Sequence, residues 1–599
     1  MLNSRIKEYL DNLSKEVIPL RLFHGEFKIA EEIKNILKKE DANYYPSVED
    51  ISEQIAFDFL EDYPNNNSGW GTYYGPMFVL PSGQDQMVEY PSIHNVTKET
   101  LGYWESRAKE TKNPILLSRY ADLIVDFSSR VIQKSADYNF FHLVIDASIA
   151  ICEKSLAEPL DCKTKIKRSL NLAIQINDKK RVKMVKEAII VLEKKIADDD
   201  KAGLWGFAFK WLLLDFDKKV SISPQEKDCL ISDLEKMLER VKKDTWSVEH
   251  AVSLLAEYYA NEKDEANLMR VLEILENSFK ENNRTNSDTL LKVHAFEQIH
   301  EIYQKYRDKG FQEATKATNR ISKEIGCLGL DWNKSLKAVS VTTSVKKEII
   351  DKFLKDIFGE EKQNELETIL TKMVIFFVPK QKDIEGQLKV ISKKHPLQFL
   401  CTTQIISGDG IPIAKLSSLD NDYDKHFQRY ASQYLQFGSP FLFLAIDELK
   451  KRISKNEIIE YFQGSSLLQN ENEEYLQRAL DAYWGNDCLV SSHLFIPLIE
   501  SAIRELIRVC GGTVLMPNII SGYDILTLNA LLKNQGNIIK IVYSNIDPDI
   551  SFYFRLVLTE KLGMNLRNNF AHGLEKKTFF LREASDRLFH ILLCLTLVK

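Results

Sequence analysis

The chain contains 599 residues with a formal net charge of −6, of which 44% are hydrophobic and 28% are charged. This composition excludes an intrinsically disordered tail, and the charge excludes a surface that is basic along the whole chain, although a local basic site stays compatible with it. With 24 Gly and 16 Pro and abundant Leu, Lys, Glu and Ile, the sequence predicts a mostly helical, all-α protein. At about 150 residues per domain, such a chain divides into roughly three or four units.

Residues 1–97 are predicted to form helices followed by an ordered irregular loop. The loop covers residues 61–95, where Asn, Gly, Pro and aromatic residues are concentrated, and a short strand is expected at residues 77–80.

Three aromatic residues of this loop allow two interpretations. Trp70, Tyr73 and Tyr74 either stack on nucleic-acid bases or fix the loop against a helical body. We favour the second interpretation, because no Lys or Arg lies between Trp70 and Tyr90 to bind phosphates.

Residues 98–325 have the pattern of a degenerate helical repeat. Apolar residues recur at helical spacing in successive segments of roughly 12–18 residues, which are separated by short polar breaks. This pattern predicts antiparallel helix pairs stacked as a solenoid, an architecture that offers extended binding surfaces. His250, His294 and His300 are scattered along these helices, and we interpret them as structural or surface residues.

Residues 326–488 form a middle helical segment with one change of composition. The stretch ISGDGIPIAKL contains a Gly-Asp-Gly turn between apolar residues, which predicts a small β-hairpin. Asp409, Asp420, Asp422 and Asp424 occur in and after it, but they lack the spacing, the central Gly and the closing Glu of a calcium loop. We therefore reject a calcium site.

The cysteines and apolar runs indicate the compartment. The eight cysteines are scattered without a C-x-x-C pair, which favours free thiols over a zinc ribbon or a disulfide scaffold. The first residues lack the apolar stretch of a signal peptide, and the apolar runs are shorter than the roughly 20 residues that span a bilayer. We expect a cytoplasmic protein without membrane contact. We also expect no metal or cofactor, because we find no carboxylate or His/Cys cluster with suitable spacing.

Residues 489–599 are predicted to form a compact helical bundle. The segment SSHLFIPLIESAIRELIRVCGG has serines for a helix start, apolar residues on one face, and Gly511 and Gly512 for its end. A second helix is expected to end at Gly563, and the apolar run LFHILLCLTLV is expected to be a buried terminal helix.

The sharpest chemical signal is the stretch MNLRNNFAHG between the last two helices. If it is helical, Asn568 and His572 share a face and Arg567 borders the same pocket. Histidine is suited to move the proton of a ribose 2′-hydroxyl, and arginine supplies a permanent planar cation for phosphorane charge. The side chain of Asn568 is suited either to orient the histidine or to contact the phosphate. The structural alternative is that Arg567 pairs with Glu500 or Glu560 to hold the bundle together.

Two charged residues of the first bundle helix add to this signal. Glu500 and Arg504 are one helical turn apart, and Glu500 interrupts the otherwise apolar stretch PLIESAIREL. A carboxylate in that position is either a buried partner of Arg567 or a surface residue, and we favour the partner.

The C-terminal motif and three N-terminal segments of the sequence resemble a known family. LRNNFAHG resembles the Arg-x4–6-His motif of HEPN domains, including the polar residue after the arginine. The preceding helix HLFIPLIESAIREL is similar to the one that opens the HEPN-like domain of a large bacterial family. WGTYYGPM, YWESRAKE and NPILLSRYADLIVDF resemble the N-terminal domain often fused to it, so the resemblance covers both ends of the chain.

The resemblance implies an all-helical and usually dimeric endoribonuclease that works without metal. In HEPN proteins the two motifs face each other across the dimer cleft, and cleavage leaves a 2′,3′-cyclic phosphate and a 5′-hydroxyl. Many act in toxin–antitoxin, CRISPR-associated and other anti-phage systems. Carried onto this chain, Arg567 and His572 are the catalytic pair, Asn568 is a polar helper, and Glu500 with Arg504 is supporting.

The implied partners are RNA, with tRNA as one candidate, a second copy of the chain, and a regulatory protein or phage trigger. The charge distribution agrees with a local RNA site. Residues 489–599 carry six Lys and six Arg against four Asp and five Glu, a formal charge of +3, which leaves −9 for the remainder. Some HEPN domains are inactive scaffolds, so our second hypothesis is a non-catalytic protein that binds a partner and dimerises through its C-terminal bundle.

Overall fold

The protein is helical throughout, and the predicted all-α class is confirmed. Helices account for 73% of the computed structural model, and each of the three sheets in its described residues has two strands. The chain divides into two compact units, Met1–Leu328 and Gly329–Lys599. The structure describes residues 1–15, 25–40, 43–62, 70–82, 86–216, 218–284, 289–335, 344–359, 365–407, 411–468, 473–519, 521–534, 548–573 and 581–597.

Many helices of the first unit begin at a side-chain cap. The Asn113 side chain accepts the N–H of Ile115 at 2.9 Å at the start of α5, and Ser223 and Glu226 form a capping box at the start of α10. The elements are α1 Ser4–Lys15, α2 Gly25–Lys38, α3 Val48–Ala56, β1 Phe78–Ser82, β2 Gln86–Tyr90, α4 Lys98–Glu110, α5 Pro114–Val131, α6 Tyr138–Glu153, α7 Pro159–Gln175, α8 Lys179–Ile196, α9 Phe207–Phe209, a π-helix Lys210–Asp215, α10 Pro224–Arg240, α11 Thr245–Asn261, α12 Glu265–Arg284, α13 Thr289–Arg307 and α14 Gln312–Ser335.

Helices that are adjacent in the chain pack against each other in this unit, from α4 to α8 and from α10 to α13. Their apolar faces meet in one continuous core, in which Trp104, Tyr120 and Phe127 are fully buried. This arrangement follows from short connections, which place successive helices side by side.

The aromatic loop is fixed against the helices, which confirms the structural interpretation. Trp70 is 6% exposed and Tyr74 is 1% exposed, so neither ring is available for base stacking. The carboxylate of Asp126 on α5 accepts the backbone N–H groups of Tyr73 and Tyr74, both at 2.9 Å. The strand expected at residues 77–80 is present as β1.

The second unit also has a single core, to which the middle segment and the C-terminal bundle both contribute. Its elements are α15 Lys347–Phe358, α16 Leu366–Phe377, α17 Gln381–Lys394, α18 Pro396–Leu400, β3 Thr403–Ile406, β4 Pro412–Leu416, α19 Tyr423–Arg452, α20 Lys455–Gln463, α21 Glu473–Trp484, α22 Cys488–Val509, β5 Leu515–Pro517, β6 Tyr523–Ile525, α23 Leu528–Asn534, α24 Asp549–Leu558, α25 Leu566–Ala571 and α26 Leu581–Thr596.

The terminal helix α26 is buried, as predicted, and a histidine ties it to the middle segment. His590 lies 2.9 Å from the hydroxyl of Tyr553 on α24, and its Nε2 lies 3.2 Å from the carbonyl oxygen of Met373 on α16. Burial lowers the pKa of His590 to about 3, so its ring is neutral at physiological pH.

The predicted hairpin of the middle segment is confirmed as the antiparallel pair β3 and β4. Its tip, with Asp409, lies outside the described residues. Asp422 accepts hydrogen bonds from the backbone N–H and the hydroxyl of Ser417 at 2.7 and 2.8 Å and pairs with Lys425. These bonds give Asp422 a structural role in closing the loop before α19.

Other sequence expectations are settled by burial and contacts. All eight cysteines are free thiols, three of them buried. His250 packs its ring edge-on against Trp205 at 4.8 Å, and His300 lies 2.9 Å from the hydroxyl of Ser322, which confirms structural or surface positions. Across the described ranges, every helix is too short or too polar to cross a membrane.

Candidate functional site

The Arg-x4-His motif lies on the short helix α25. Asn565 precedes the helix in the left-handed conformation, with a φ of 50°. At the other end, the backbone N–H of His572 donates to the carbonyl oxygen of Asn568 at 3.0 Å, so the helical turn extends to the histidine. Asn568 and His572 are therefore one turn apart, as the spacing predicts.

The position of α25 depends on a tight turn at Gly563. A Cβ atom at this residue would collide with the carbonyl oxygen of Leu556 on α24. The same oxygen accepts the backbone N–H of Met564 at 2.9 Å. A residue without a side chain therefore allows the chain to fold back closely and start α25 beside α24.

The helix that faces α25 begins earlier than predicted. The side chain of Asp487 caps α22 by accepting the N–H of Val490 at 3.1 Å. The serines expected at the helix start lie inside it, where Ser491 is buried and lies 2.7 Å from the hydroxyl of Ser585 on α26. The predicted start is wrong because these serines pack in the buried interior of the bundle and do not cap α22. The predicted end is correct, since Gly511 follows the helix with a φ of 76°.

A carboxylate on α22 joins two arginines. Glu500 Oε2 lies 3.5 Å from Nε of Arg567, and its Oε1 pairs with Arg504 one turn further along α22. Arg504 also donates to the carbonyl oxygen of Leu526 at 3.4 Å. The side chain of Glu500 is 14% exposed and that of Arg567 is 28% exposed. The predicted pairing of Arg567 with Glu500 is confirmed, and within the described ranges Arg567 forms no ion pair with the alternative partner Glu560.

Asparagine side chains hold the other side of Arg567. The guanidinium donates to Oδ1 of Asn568 at 3.3 Å, and Asn568 donates its Nδ2 to Asn565 at 2.8 Å. Asn565 in turn donates to Asn569 at 3.3 Å. Asn568 therefore contacts the arginine, so it orients Arg567 through its side chain and is joined to His572 through its backbone.

The histidine of the motif stands apart from this network. His572 is exposed at the end of α25, and its ring has no hydrogen-bond partner within the described ranges. Such a ring is accessible to a ligand from solvent.

Sequence reasoning missed a second histidine beside the motif. The ring of His493 on α22 packs edge-on against Phe570 of α25, with 4.9 Å between the ring centres. Its Nδ1 donates to a backbone carbonyl one turn earlier at 2.8 Å, which leaves Nε2 directed away from that bond. The available signal was spacing, because His493, Glu500 and Arg504 recur at i, i+7 and i+11 on one helical face.

The structure thus brings together Arg567, Asn568, Glu500 and Arg504, with His572 at the exposed end of the same short helix. In the part of the chain that the structure describes, no group of three or more His, Cys, Asp or Glu is arranged to hold a metal ion. Comparison of the chain with protein-family models, with curated proteins and with solved structures finds no match.

Proposed function

We propose that the protein is a HEPN-type endoribonuclease that cleaves RNA, with tRNA as a candidate substrate, without a metal ion. The observation that supports this most is the placement of Arg567. Its guanidinium is oriented by Glu500 and Asn568 yet stays 28% exposed, on the short helix that ends at the exposed His572. A fixed, accessible cation on the same short helix as an exposed histidine supports phosphoryl transfer at a ribose.

The proposed reaction is an internal displacement at phosphorus. The ribose 2′ oxygen forms a bond to phosphorus while the bond to the 5′ oxygen breaks, which leaves a 2′,3′-cyclic phosphate and a 5′-hydroxyl. One imidazole takes the proton of the 2′-hydroxyl, and the leaving 5′ oxygen takes a proton from an acid. Arg567 stabilises the extra negative charge on the phosphorane.

We propose that a second copy of the chain supplies the missing acid. Each chain carries one His572, whereas the reaction needs a base and an acid in the same turnover. The β5–β6 hairpin presents large apolar side chains to solvent, with Ile519, Tyr523 and Ile525 at least 60% exposed. The hairpin is joined to the site by the bond from Arg504 to Leu526, and this proximity supports our choice of the hairpin as the dimer contact.

The wider role that we propose is a toxin-like effector in anti-phage defence that acts in the cytoplasm. It rests on the resemblance of LRNNFAHG and the flanking helices to HEPN proteins. The large helical first unit is the candidate for sensing a regulatory protein or a phage trigger, because helical arrays offer extended binding surfaces.

A non-catalytic scaffold is the second candidate, and one observation favours it. Arg567 is bonded to Glu500 and Asn568, a pattern that also serves to fix α25 against α22. In that case the cluster stabilises a dimerising bundle and the exposed histidine has no chemical role.

The experiment compares the full-length parent with His572→Ala, using total cellular RNA in EDTA. We expect the parent to generate new 5′-hydroxyl ends, mapped by sequencing, and the variant to lose this activity while retaining the fold and oligomeric state. Clusters of ends in anticodon loops would identify tRNA as the substrate.

The matched control is His395→Ala, because His395 is an exposed histidine between α17 and α18 in the same unit. It should cleave as the parent does. Equal cleavage by His572→Ala would refute the site, loss of cleavage in EDTA would refute the metal-free mechanism, and a parent without cleavage in any preparation would favour the scaffold.

A further inference from the structure

The first unit contains a cavity that the proposed nuclease does not use. It has a volume of about 240 Å³ and lies among α2, the residues after α3, α5 and α7. Apolar side chains form part of its wall, including Phe57, Phe59 and Ile115. A cavity with apolar walls and a few charged groups is the usual form of a small-molecule site.

Two basic residues reach this cavity, and their charges are already satisfied. Lys165 Nζ lies 2.6 Å from Glu26 and 3.1 Å from Glu61. Arg119 lies 2.9 Å from Glu61 and 3.4 Å from Glu26, and it also donates to two backbone carbonyl oxygens near the end of α3 at 2.6 Å. These four side chains form a closed ring of alternating charge, so neither cation is free to bind an anionic ligand.

Two further carboxylates line the same cavity. Asp161 lies one turn before Lys165 on α7, and Asp62 follows the end of α3. Within the described ranges, neither carboxylate has a hydrogen bond or an ion pair. The cavity wall therefore carries four carboxylates against two cations. Asp62 is exposed to solvent, so Asp161, which is partly buried, is the carboxylate whose charge a bound cation would compensate.

We propose that this cavity binds the ammonium or guanidinium group of a small organic cation, with Asp161 as the main counter-ion. The apolar wall accommodates the aliphatic part of such a ligand. The space of about 240 Å³ is many times the roughly 10–15 Å³ that a single water molecule requires in a cavity, so it admits a short aliphatic amine. The source is either a free aliphatic amine or a lysine or arginine side chain, which share this chemistry.

The titration of Asp161 provides an independent support. Burial raises the pKa of Asp161 to about 6, partly offset by Lys165 and reinforced by the neighbouring carboxylates. A bound cation favours the ionised form, so binding should release a proton and strengthen as the pH rises through 6. The charged groups around Asp161, in the cavity wall or in direct electrostatic contact, are Glu26, Glu61, Asp62, Arg119, Glu158 and Lys165.

Calorimetric titration of the full chain with putrescine, agmatine and 1,4-butanediol tests the proposal. We expect at least one of the two cations to bind and the neutral, equally sized diol to bind at least tenfold more weakly. Equal binding of putrescine and the diol, or no binding of either cation, would overturn it. Nα-acetyl-lysine amide distinguishes the sources: tighter binding than putrescine identifies a lysine side chain, and weaker binding identifies a free amine.

Asp161→Asn should weaken the binding of the cation at least tenfold, whereas Asp200→Asn should not change it, because Asp200 is an exposed carboxylate elsewhere in the unit. Unchanged binding by Asp161→Asn would overturn the proposal. If that variant fails to fold, the pH dependence of binding by the parent protein provides the test. Because the pKa of Asp161 is about 6, the affinity of the parent for the cation should be about tenfold lower at pH 5 than at pH 7. A constant affinity would contradict the role of Asp161.

Discussion

The guanidinium Nε of Arg567 lies 3.5 Å from Oε2 of Glu500, a contact that joins α25 to α22. Glu500 also pairs with Arg504, so one carboxylate holds two guanidinium groups. Two guanidinium groups and one carboxylate leave the cluster with a net positive charge, and the contacts with Glu500 fix its geometry. Such a cation needs no reorganisation when a phosphate approaches, which is the condition for electrostatic stabilisation of a transition state.

The shared carboxylate makes Glu500→Gln a test of this arrangement. We expect the unfolding free energy of the second unit to fall by about 1 to 2 kcal/mol, because two partly buried arginines lose their counter-ion. RNA cleavage should fall as well, since Arg567 is no longer oriented. Urea unfolding and initial cleavage rates measure the two effects. Glu505→Gln, at an exposed residue of the same helix, should leave both close to the parent; no effect of Glu500→Gln would argue against a positioning role.

The planar fork of Arg567 is tested by Arg567→Lys. Lysine keeps the charge but lacks two parallel donors, so we expect cleavage to fall about 100-fold or more with less than about 1 kcal/mol lost in stability. Single-turnover cleavage rates and urea unfolding give the two values. A lysine variant that cleaves within about threefold of the parent would show that charge alone suffices.

The close approach at Gly563 predicts the effect of Gly563→Ala. The added methyl group meets the carbonyl oxygen of Leu556, so the backbone must shift and α25 must move. We expect a loss of about 2 kcal/mol in unfolding free energy and a matching loss of cleavage. Gly386→Ala on α17 is the control, because a Cβ there meets open space and should leave stability equal or slightly higher. Equal behaviour of the two variants would contradict the turn.

The buried ring of His590 predicts a pH dependence. Its pKa is about 3 in the folded protein and near 6.5 when unfolded, so between these values the unfolded chain binds the proton and the folded chain does not. His590 therefore lowers the stability of the second unit as the pH falls from 6.5 towards 3, whereas the buried Asp586, whose pKa is raised to about 6, acts in the opposite direction. Amide hydrogen exchange of α26 peptides measures this slope. The dependence of stability on pH should be weaker in His590→Gln and unchanged in His395→Gln. An unchanged dependence in His590→Gln would show that another group causes it.

Much of the fold followed from local patterns, because each depends on residues that are close in sequence. The hairpin in ISGDGIPIAKL, the buried helix at LFHILLCLTLV and the single turn between Asn568 and His572 are of this kind. The β5–β6 hairpin was missed because its apolar residues are exposed on both faces, so the alternation that marks a half-buried strand is absent.

Contacts between distant segments account for what sequence alone missed. The ring of Glu26, Glu61, Arg119 and Lys165 combines residues from three helices and one loop, and only tertiary packing reveals it. The pairing of Glu500 with Arg567 was predicted, since a carboxylate in an apolar helix stretch needs a cation nearby. The start of α22 was misjudged because serines that suit a cap are equally suited to a buried helix contact, as Ser491 shows.

The bond between His590 and the carbonyl of Met373 joins residues 217 positions apart. With the core that the middle segment and the C-terminal bundle share, it makes residues 489–599 dependent on helices that precede them. A fragment limited to residues 489–599 would therefore expose the apolar face of α26 that α16 and α19 cover in the full chain.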